Sequence, residues 1–149
     1  MAPDTKAPVT ALVAVTRDAK RALAGAAEAR ITRYPFKVGR ESRQSAGDGS
    51  PESDSNQRLR LVPELNDLYL LEPKWSDLNR ISRQHFVIEY DGRQFWLVDR
   101  RSACGTIVAS QQVGGNRRGG RALLRPGDTI AIGPPYSEYV FRFEVRTPG

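Results

Sequence analysis

The sequence predicts an all-β fold, a sandwich of about nine to eleven short antiparallel or mixed strands with a disordered polar insertion. Three observations carry that prediction. Apolar residues alternate with polar ones over short stretches, the period of a half-buried strand. Turn formers, above all Gly, Pro, Asp and Asn, separate those stretches at short intervals. No segment combines helical spacing with a full set of large apolar side chains.

At 149 residues the chain is the size of one ordinary domain. Its 39% hydrophobic and 27% charged content supports one modest core and excludes collagen-like, coiled-coil and wholly disordered readings. Residues 1–9, polar and holding Pro3 and Pro8, read as a flexible N-terminal arm, 10–146 as the domain, and 147–149 as a tail. Within the domain, 10–16 (TALVAVT) is the first strand. Segment 18–30 is Ala-rich and scores locally as helix. Gly25 and the few large apolar side chains leave a loop or a poor strand as the competing reading. Segment 31–38 alternates and ends at Gly39-Arg40. Residues 42–60 break the pattern, with no large apolar side chain before Leu59, and are read as a mobile insertion.

Strands follow at 67–72, 84–90 and 93–99, the last two joined by Asp91-Gly92, a two-residue hairpin signal. Shorter strands are expected at 106–108, 112–113, 121–124 and 129–132. Segment 138–145 alternates cleanly, with Tyr139, Phe141, Phe143 and Val145 inward and Arg142 and Glu144 outward.

The formal net charge is +6, and 19 of the 23 basic residues are Arg. Arg presents a planar fork matched to phosphate or carboxylate, whereas Lys is a point charge. Phosphorylated protein, nucleic acid and acidic lipid all suit such a surface, so charge alone does not choose. No apolar run approaches the roughly 20 residues of a membrane span. The start, Met1-Ala2-Pro3-Asp4, lacks the basic stretch and apolar block of a secretory signal. A soluble, cytoplasmic domain with no membrane partner is expected. One Cys and one His exclude an internal disulfide and a usual structural zinc site, so neither metal nor cofactor is expected.

Two catalytic arrangements can be written. Cys104, His85 and Asp99 offer nucleophile, base and orienting acid, and Ser82 with His85 offers a second pair. Both depend on one His at the start of a strand, where an imidazole more often braces a loop. No nucleophile elbow or cysteine-protease signature surrounds either nucleophile. The chain is read as no enzyme. Segment 114–120 (GGNRRGG) is Gly-rich and basic, but lacks the Lys-Ser/Thr and following helix of a nucleotide loop. It reads as a flexible hairpin tip, with an Arg-Gly contact to a polyanion as the alternative. Aromatic residues fall mostly at core-facing positions, which disfavours nucleic acid as a partner.

A constellation of four short motifs rises above these. Gly39-Arg40 closes the strand P-F-K-V-G-R, and Ser82-Arg83-Gln84-His85 opens another. Asp99 begins D-R-R-S-A-C-G-T-I-V, and Leu124 begins L-R-P-G-D-T-I-A-I-G. In order and spacing these resemble the forkhead-associated (FHA) domain, whose pattern is G-R, S-R-x-H, D-x-x-S-x-N-G-T-x-V-N and L-x-x-G-D-x-I-x-x-G. The resemblance covers 10–146, with 42–60 as an extra between the first two motifs. It implies a β-sandwich that binds phosphothreonine peptides through loops clustered at one end.

The resemblance implies that Arg40 and Ser82 contact phosphate, with Arg83 as a second cation or backbone amide beside them. Such donors suit phosphothreonine, which carries about −1.5 to −2 charge and three acceptor oxygens. Arg80, Ala103, Cys104 and Gly105 fall on the peptide-contacting loop. Gly39, His85, Thr106, Gly127 and Asp128 are structural, with His85 holding the binding loops and Asp128 ordering its own turn. One departure matters. Where the family has Thr-Asn, this chain has Ala103-Cys104, and the later family Asn is Ala109. A methyl group and a weakly bonding thiol replace two polar contacts, a loss of about 1–3 kcal/mol. The expected function is a non-catalytic adaptor recognising phosphothreonine on a partner, a Ser/Thr kinase or its substrate. The alternative is a degenerate FHA module with phospho-independent protein–protein binding.

Overall fold

The computed structural model describes residues 7–40, 66–72, 80–133 and 137–146. The insertion expected at 42–60, most of the N-terminal arm and the tail lie outside them. Eleven strands and one helix occur among the described residues: β1 (Val9–Ala14), α1 (Arg17–Ala22), β2 (Glu28–Ile31), β3 (Phe36–Arg40), β4 (Leu68–Leu70), β5 (Phe86–Tyr90), β6 (Phe95–Asp99), β7 (Thr106–Val108), β8 (Gln111–Val113), β9 (Gly120–Leu124), β10 (Thr129–Ile132) and β11 (Val140–Arg146). They form two sheets, ordered β2-β1-β11-β10-β7-β8 and β4-β3-β5-β6-β9. Only β3 and β4 pair in parallel among these neighbours.

The core lies between the sheets. Alternation on β11 buries Phe141 and Phe143 and turns Arg142 and Glu144 outward, where they pair with each other. Glu144 also meets Arg146, which reaches Glu28 on β2. Phe143 meets Phe95 of the opposite sheet edge-on, with centroids 5.1 Å apart. Leu12, Ile31, Val38, Phe86, Ile88, Leu97, Ile130 and Ile132 complete the dry interior. Each such side chain contributes about 1.5–3 kcal/mol by leaving water.

Three local readings are corrected. Segment 31–38 is no single strand: β2 ends at Ile31 and β3 begins at Phe36. Pro35, which has no N–H to give a ladder, lies in the break. Segment 18–30 divides into a helix and a strand. Thr16, placed in the first strand by the sequence, caps the helix instead, its hydroxyl accepting the Ala19 N–H at 3.1 Å. Six residues are too few for a helix stable by itself, and burial of Ala19 and Ala22 seats this one. The connection at Asp91-Gly92 is longer than two residues, since Tyr90 pairs with Phe95. The Asp91 carboxylate accepts the N–H groups of Arg93 and Gln94 at 2.8 and 2.7 Å and the Trp96 indole N–H at 3.0 Å. A two-residue turn does occur, at Ala109 and Ser110, where Val108 pairs with Gln111 and both turn residues have positive φ.

Candidate functional site

One end of the sandwich gathers the end of β3, the approach to β5, and the loops after β6 and β8. Arg40, the last residue of β3, receives its place from its neighbour loop. Its N–H donates to the Ser82 carbonyl at 2.9 Å, and its half-buried guanidinium donates through Nη1 to the Ile81 carbonyl at 3.3 Å. Gly39 lets the two segments touch: a Cβ there would stand 1.8 Å from the Arg83 carbonyl oxygen. Arg83 itself is exposed.

Ser82 turns its hydroxyl toward the next loop, where Oγ accepts the Ala103 N–H at 3.1 Å. The hydroxyl proton remains available to an acceptor, because Oγ accepts and does not donate in that bond. Ser82, Arg40 and Ala103 are thus brought together from three segments of the chain.

His85 holds this arrangement. Its Nδ1 accepts the Ser82 N–H at 2.9 Å, which leaves the ring proton on Nε2 to donate to the Gly105 carbonyl at 2.8 Å. Its backbone N–H donates to Val38 and its carbonyl accepts from Arg100, at 2.9 and 2.8 Å. Complete burial pushes the imidazole pKa below its ordinary value, outweighing the opposing pull of the Gly105 carbonyl and of Asp99. With both ring nitrogens bonded to backbone groups, His85 abstracts no proton from Ser82 Oγ or the Cys104 thiol in this geometry.

Asp99 likewise has a structural set of partners. Its carboxylate accepts the Ser102 N–H at 2.8 Å, the Ser102 hydroxyl at 2.6 Å and the Thr106 hydroxyl at 2.9 Å. Ser102 Oγ in turn accepts the Gly105 N–H at 2.9 Å, which shapes the 102–105 loop. Ala103 is exposed on that loop, and Cys104 is half-buried beside Gly133.

Arg80 is buried, and its Nε pairs with Glu138 at 3.0 Å while its N–H donates to Glu72 at 2.9 Å. Its side chain runs along Gly133, which Cys104 also borders. Gly127 and Asp128 lie in the β9–β10 turn, at the opposite end of the sandwich from Arg40. There Asp128 accepts the Arg125 N–H at 2.9 Å.

One residue of the site escapes sequence reading. Asn66, 4% exposed, donates through Nδ2 to the Arg83 carbonyl at 2.7 Å and accepts from Arg100 Nη1 at 2.8 Å. It ties the 80–85 loop to the end of β6. Its only sequence signal is a polar residue just before a short strand.

A sandwich of a six-stranded and a five-stranded sheet, with the four motif loops distributed over its ends, is the architecture of a class of protein-interaction modules. An FHA domain model matches residues 55–133, more than half of the 149-residue chain, and the chain belongs to the FHA domain family. FHA domains are in general phosphopeptide-binding protein-interaction modules. Gly39 and Arg40 precede the matched segment, and their place rests on the geometry of β3. No curated protein matches the chain in sequence.

Solved structures share the fold at low identity. Mycobacterium tuberculosis EmbR in complex with a low affinity phosphopeptide is 18% identical, with TM-score 0.55, over 95% of this chain and 26% of that one. The chain therefore spans about a quarter of EmbR. The kinase-interacting FHA domain of kinase associated protein phosphatase from Arabidopsis is 18% identical, with TM-score 0.57, over 95% and 97% of the two chains. The yeast Pml1 splicing factor is 19% identical, with TM-score 0.56, over 97% and 84%.

Proposed function

We infer that the protein is a non-catalytic adaptor that binds phosphothreonine on a partner protein, with Arg40, Ser82 and Arg83 as the phosphate contacts. The carrying observation is the 2.9 Å bond from the Arg40 N–H to the Ser82 carbonyl, which sets the two residues side by side on neighbouring segments at one end of the sandwich. A dianionic phosphate gains short, charge-assisted hydrogen bonds from such a pair. The partner is a Ser/Thr kinase or its substrate, met in the cytoplasm. Among the described residues no helix is long and apolar enough to cross a membrane. Support for the ligand class comes from family membership and from the EmbR complex, which holds a phosphopeptide.

A second reading, phospho-independent protein binding, is favoured by one feature. The exposed loop residue at the family's Thr position is Ala103, and half-buried Cys104 stands at the Asn position. Calorimetric titration with matched phosphothreonine, phosphoserine and unphosphorylated peptides tests the two. Selective binding of the phosphothreonine form is expected. Equal binding of all three peptides would establish the second reading.

A further inference from the structure

The basic, Gly-rich segment 114–120 has no part in the pocket described above, yet it is anchored directly to it. It connects β8 to β9, and its backbone is hydrogen-bonded to the 102–105 loop. The N–H groups of Asn116 and Arg117 donate to the carbonyls of Ala103 and Ser102 at 2.9 and 3.0 Å, and the Arg118 N–H closes a turn on Gly115 at 3.1 Å. Gly114, Gly115, Asn116, Arg117 and Gly119 all have positive φ, so the chain winds left-handed. Lack of side chains lets it press close: a Cβ on Gly114 would stand 2.6 Å from the Asp99 carboxylate. The composition suggests a loose tip, and the hydrogen bonding instead defines an ordered one.

The anchor point is telling. The peptide unit of Ala103 has its N–H on Ser82 Oγ, while its carbonyl accepts from Asn116. One residue therefore separates the Ser82 hydroxyl from the basic tip. Arg117 and Arg118 are exposed there, and exposed Arg101 runs beside Gly119, 3.4 Å from where a Cβ would stand. None of the ion pairs among the described residues involves these three guanidinium groups. The carboxylate beneath the tip, Asp99, faces inward and is taken up by Ser102 and Thr106.

We propose that Arg101, Arg117 and Arg118 form a second anion subsite, which reads another phosphorylated or acidic side chain on the same peptide, a few residues from the phosphothreonine. The subsite rests on the phosphothreonine reading of the neighbouring pocket. Three Arg forks carried on an ordered backbone suit phosphate best and carboxylate next, at little ordering cost. Single-stranded nucleic acid fits less well, because it needs aromatic faces for stacking and the tip has none. Trp96, on the neighbouring sheet, is already covered by the Arg121 guanidinium at 4.2 Å and bonded to Asp91.

Four synthetic peptides test this by calorimetry on the whole chain at about 0.15 M ionic strength. One carries phosphothreonine between neutral flanks, one adds a phosphoserine, one adds an Asp pair, and one is acidic but unphosphorylated. The native protein is expected to bind the two doubly anionic peptides about three- to tenfold tighter than the neutral-flank peptide, with the second phosphate ahead. An R117A/R118A protein is expected to keep neutral-flank affinity within about twofold, which also reports its fold, and to lose most of the gain; R101A loses part. Equal affinity for neutral and anionic flanks, or a gain that survives in R117A/R118A, overturns the subsite and leaves the phosphothreonine pocket standing. Failure of every phosphopeptide overturns both. Displacement of the doubly anionic peptide by a random single-stranded oligonucleotide, bound by native protein and not by R117A/R118A, reassigns the tip to nucleic acid.

Discussion

The imidazole of His85 accepts the backbone N–H of Ser82 at 2.9 Å, and that bond exists only while Nδ1 carries no proton. The Ser82 loop is therefore held by a neutral histidine. Burial lowers the pKa of this base below its ordinary 6.5, so the unfolded chain takes up a proton before the native one does. Stability is fully present above about pH 6.5 and is lost as pH falls from there toward the folded pKa, at up to about 1.4 kcal/mol per pH unit. Urea midpoints measured between pH 7.5 and 5 should fall across that window. An unchanged midpoint would show that His85 is not held neutral by the fold.

Asp91 sets a second, separate pH dependence. Hydrogen bonds from the Gln94 N–H, the Trp96 indole and the Arg93 N–H hold its carboxyl down at about 2, from an ordinary 3.8. For an acid with a lowered pKa the contribution is present above 3.8 and disappears as pH drops through about 2. Trp96 fluorescence should therefore titrate near 2 in the native protein. In Asp91→Asn that transition should vanish, and a midpoint left near 3.8 in native protein would remove the carboxylate from the turn.

The sandwich was legible because its strands alternate and its turns are punctuated, and β11 shows why. Tyr139, Phe141 and Phe143 are buried at every second position, a pattern set by one dry and one wet face. Turn geometry was less legible. Asp91-Gly92 reads as a two-residue hairpin, but the Asp91 side chain captures the N–H groups of Arg93 and Gln94 and lengthens the loop. The two-residue turn falls at Ala109 and Ser110, whose composition carries no such signal. That Arg40, Ser82 and His85 lie together was legible from motif order. Asn66 was not, since its hydrogen bonds to Arg83 and Arg100 join segments 17 and 34 residues away. The pairing of Arg80 with Glu138, 58 residues further on, gave no sign in the sequence, because a charge beside a motif does not name its partner.

Asn66→Ala should weaken both the fold and the pocket. It leaves the Arg83 carbonyl and one Arg100 N–H without their partner in a nearly closed site. The cost should be about 1.5–3 kcal/mol, read from the denaturant midpoint at constant m-value. Phosphopeptide affinity should fall as well, because Arg83 is no longer tethered. A loss of stability with affinity intact would confine Asn66 to a supporting role.

Two glycines should respond to alanine for different reasons. At Gly39 the new methyl meets the Arg83 carbonyl oxygen at 1.8 Å and Asn66 Nδ2 at 2.7 Å, so the 80–85 loop must move. At Gly127 a methyl meets nothing within 4 Å, and only the φ of +93° opposes it. Gly127→Ala should cost about 1–2 kcal/mol and leave ligand binding unchanged. Gly39→Ala should cost more and abolish phosphopeptide binding. The reverse ranking would contradict the close approach of β3 to that loop.

Arg40 and Cys104 together separate the two functional readings. Arg40→Ala removes a charge-assisted contact and should reduce phosphothreonine-peptide affinity ten- to a hundredfold, about 1.5–3 kcal/mol. The fold should survive, because the side chain gives up only the 3.3 Å bond to the Ile81 carbonyl. Cys104→Asn restores an amide able to donate to and accept from a bound backbone, and should tighten the phosphopeptide in the native background. If the module is phospho-independent, Arg40→Ala leaves partner binding unchanged, and Cys104→Asn creates a phosphothreonine affinity that the native chain lacks. Calorimetry on the native, Arg40→Ala and Cys104→Asn proteins with one phosphothreonine peptide pool distinguishes these outcomes. An Arg40→Ala protein that binds the pool as tightly as native places the phosphate somewhere other than between Arg40 and Ser82.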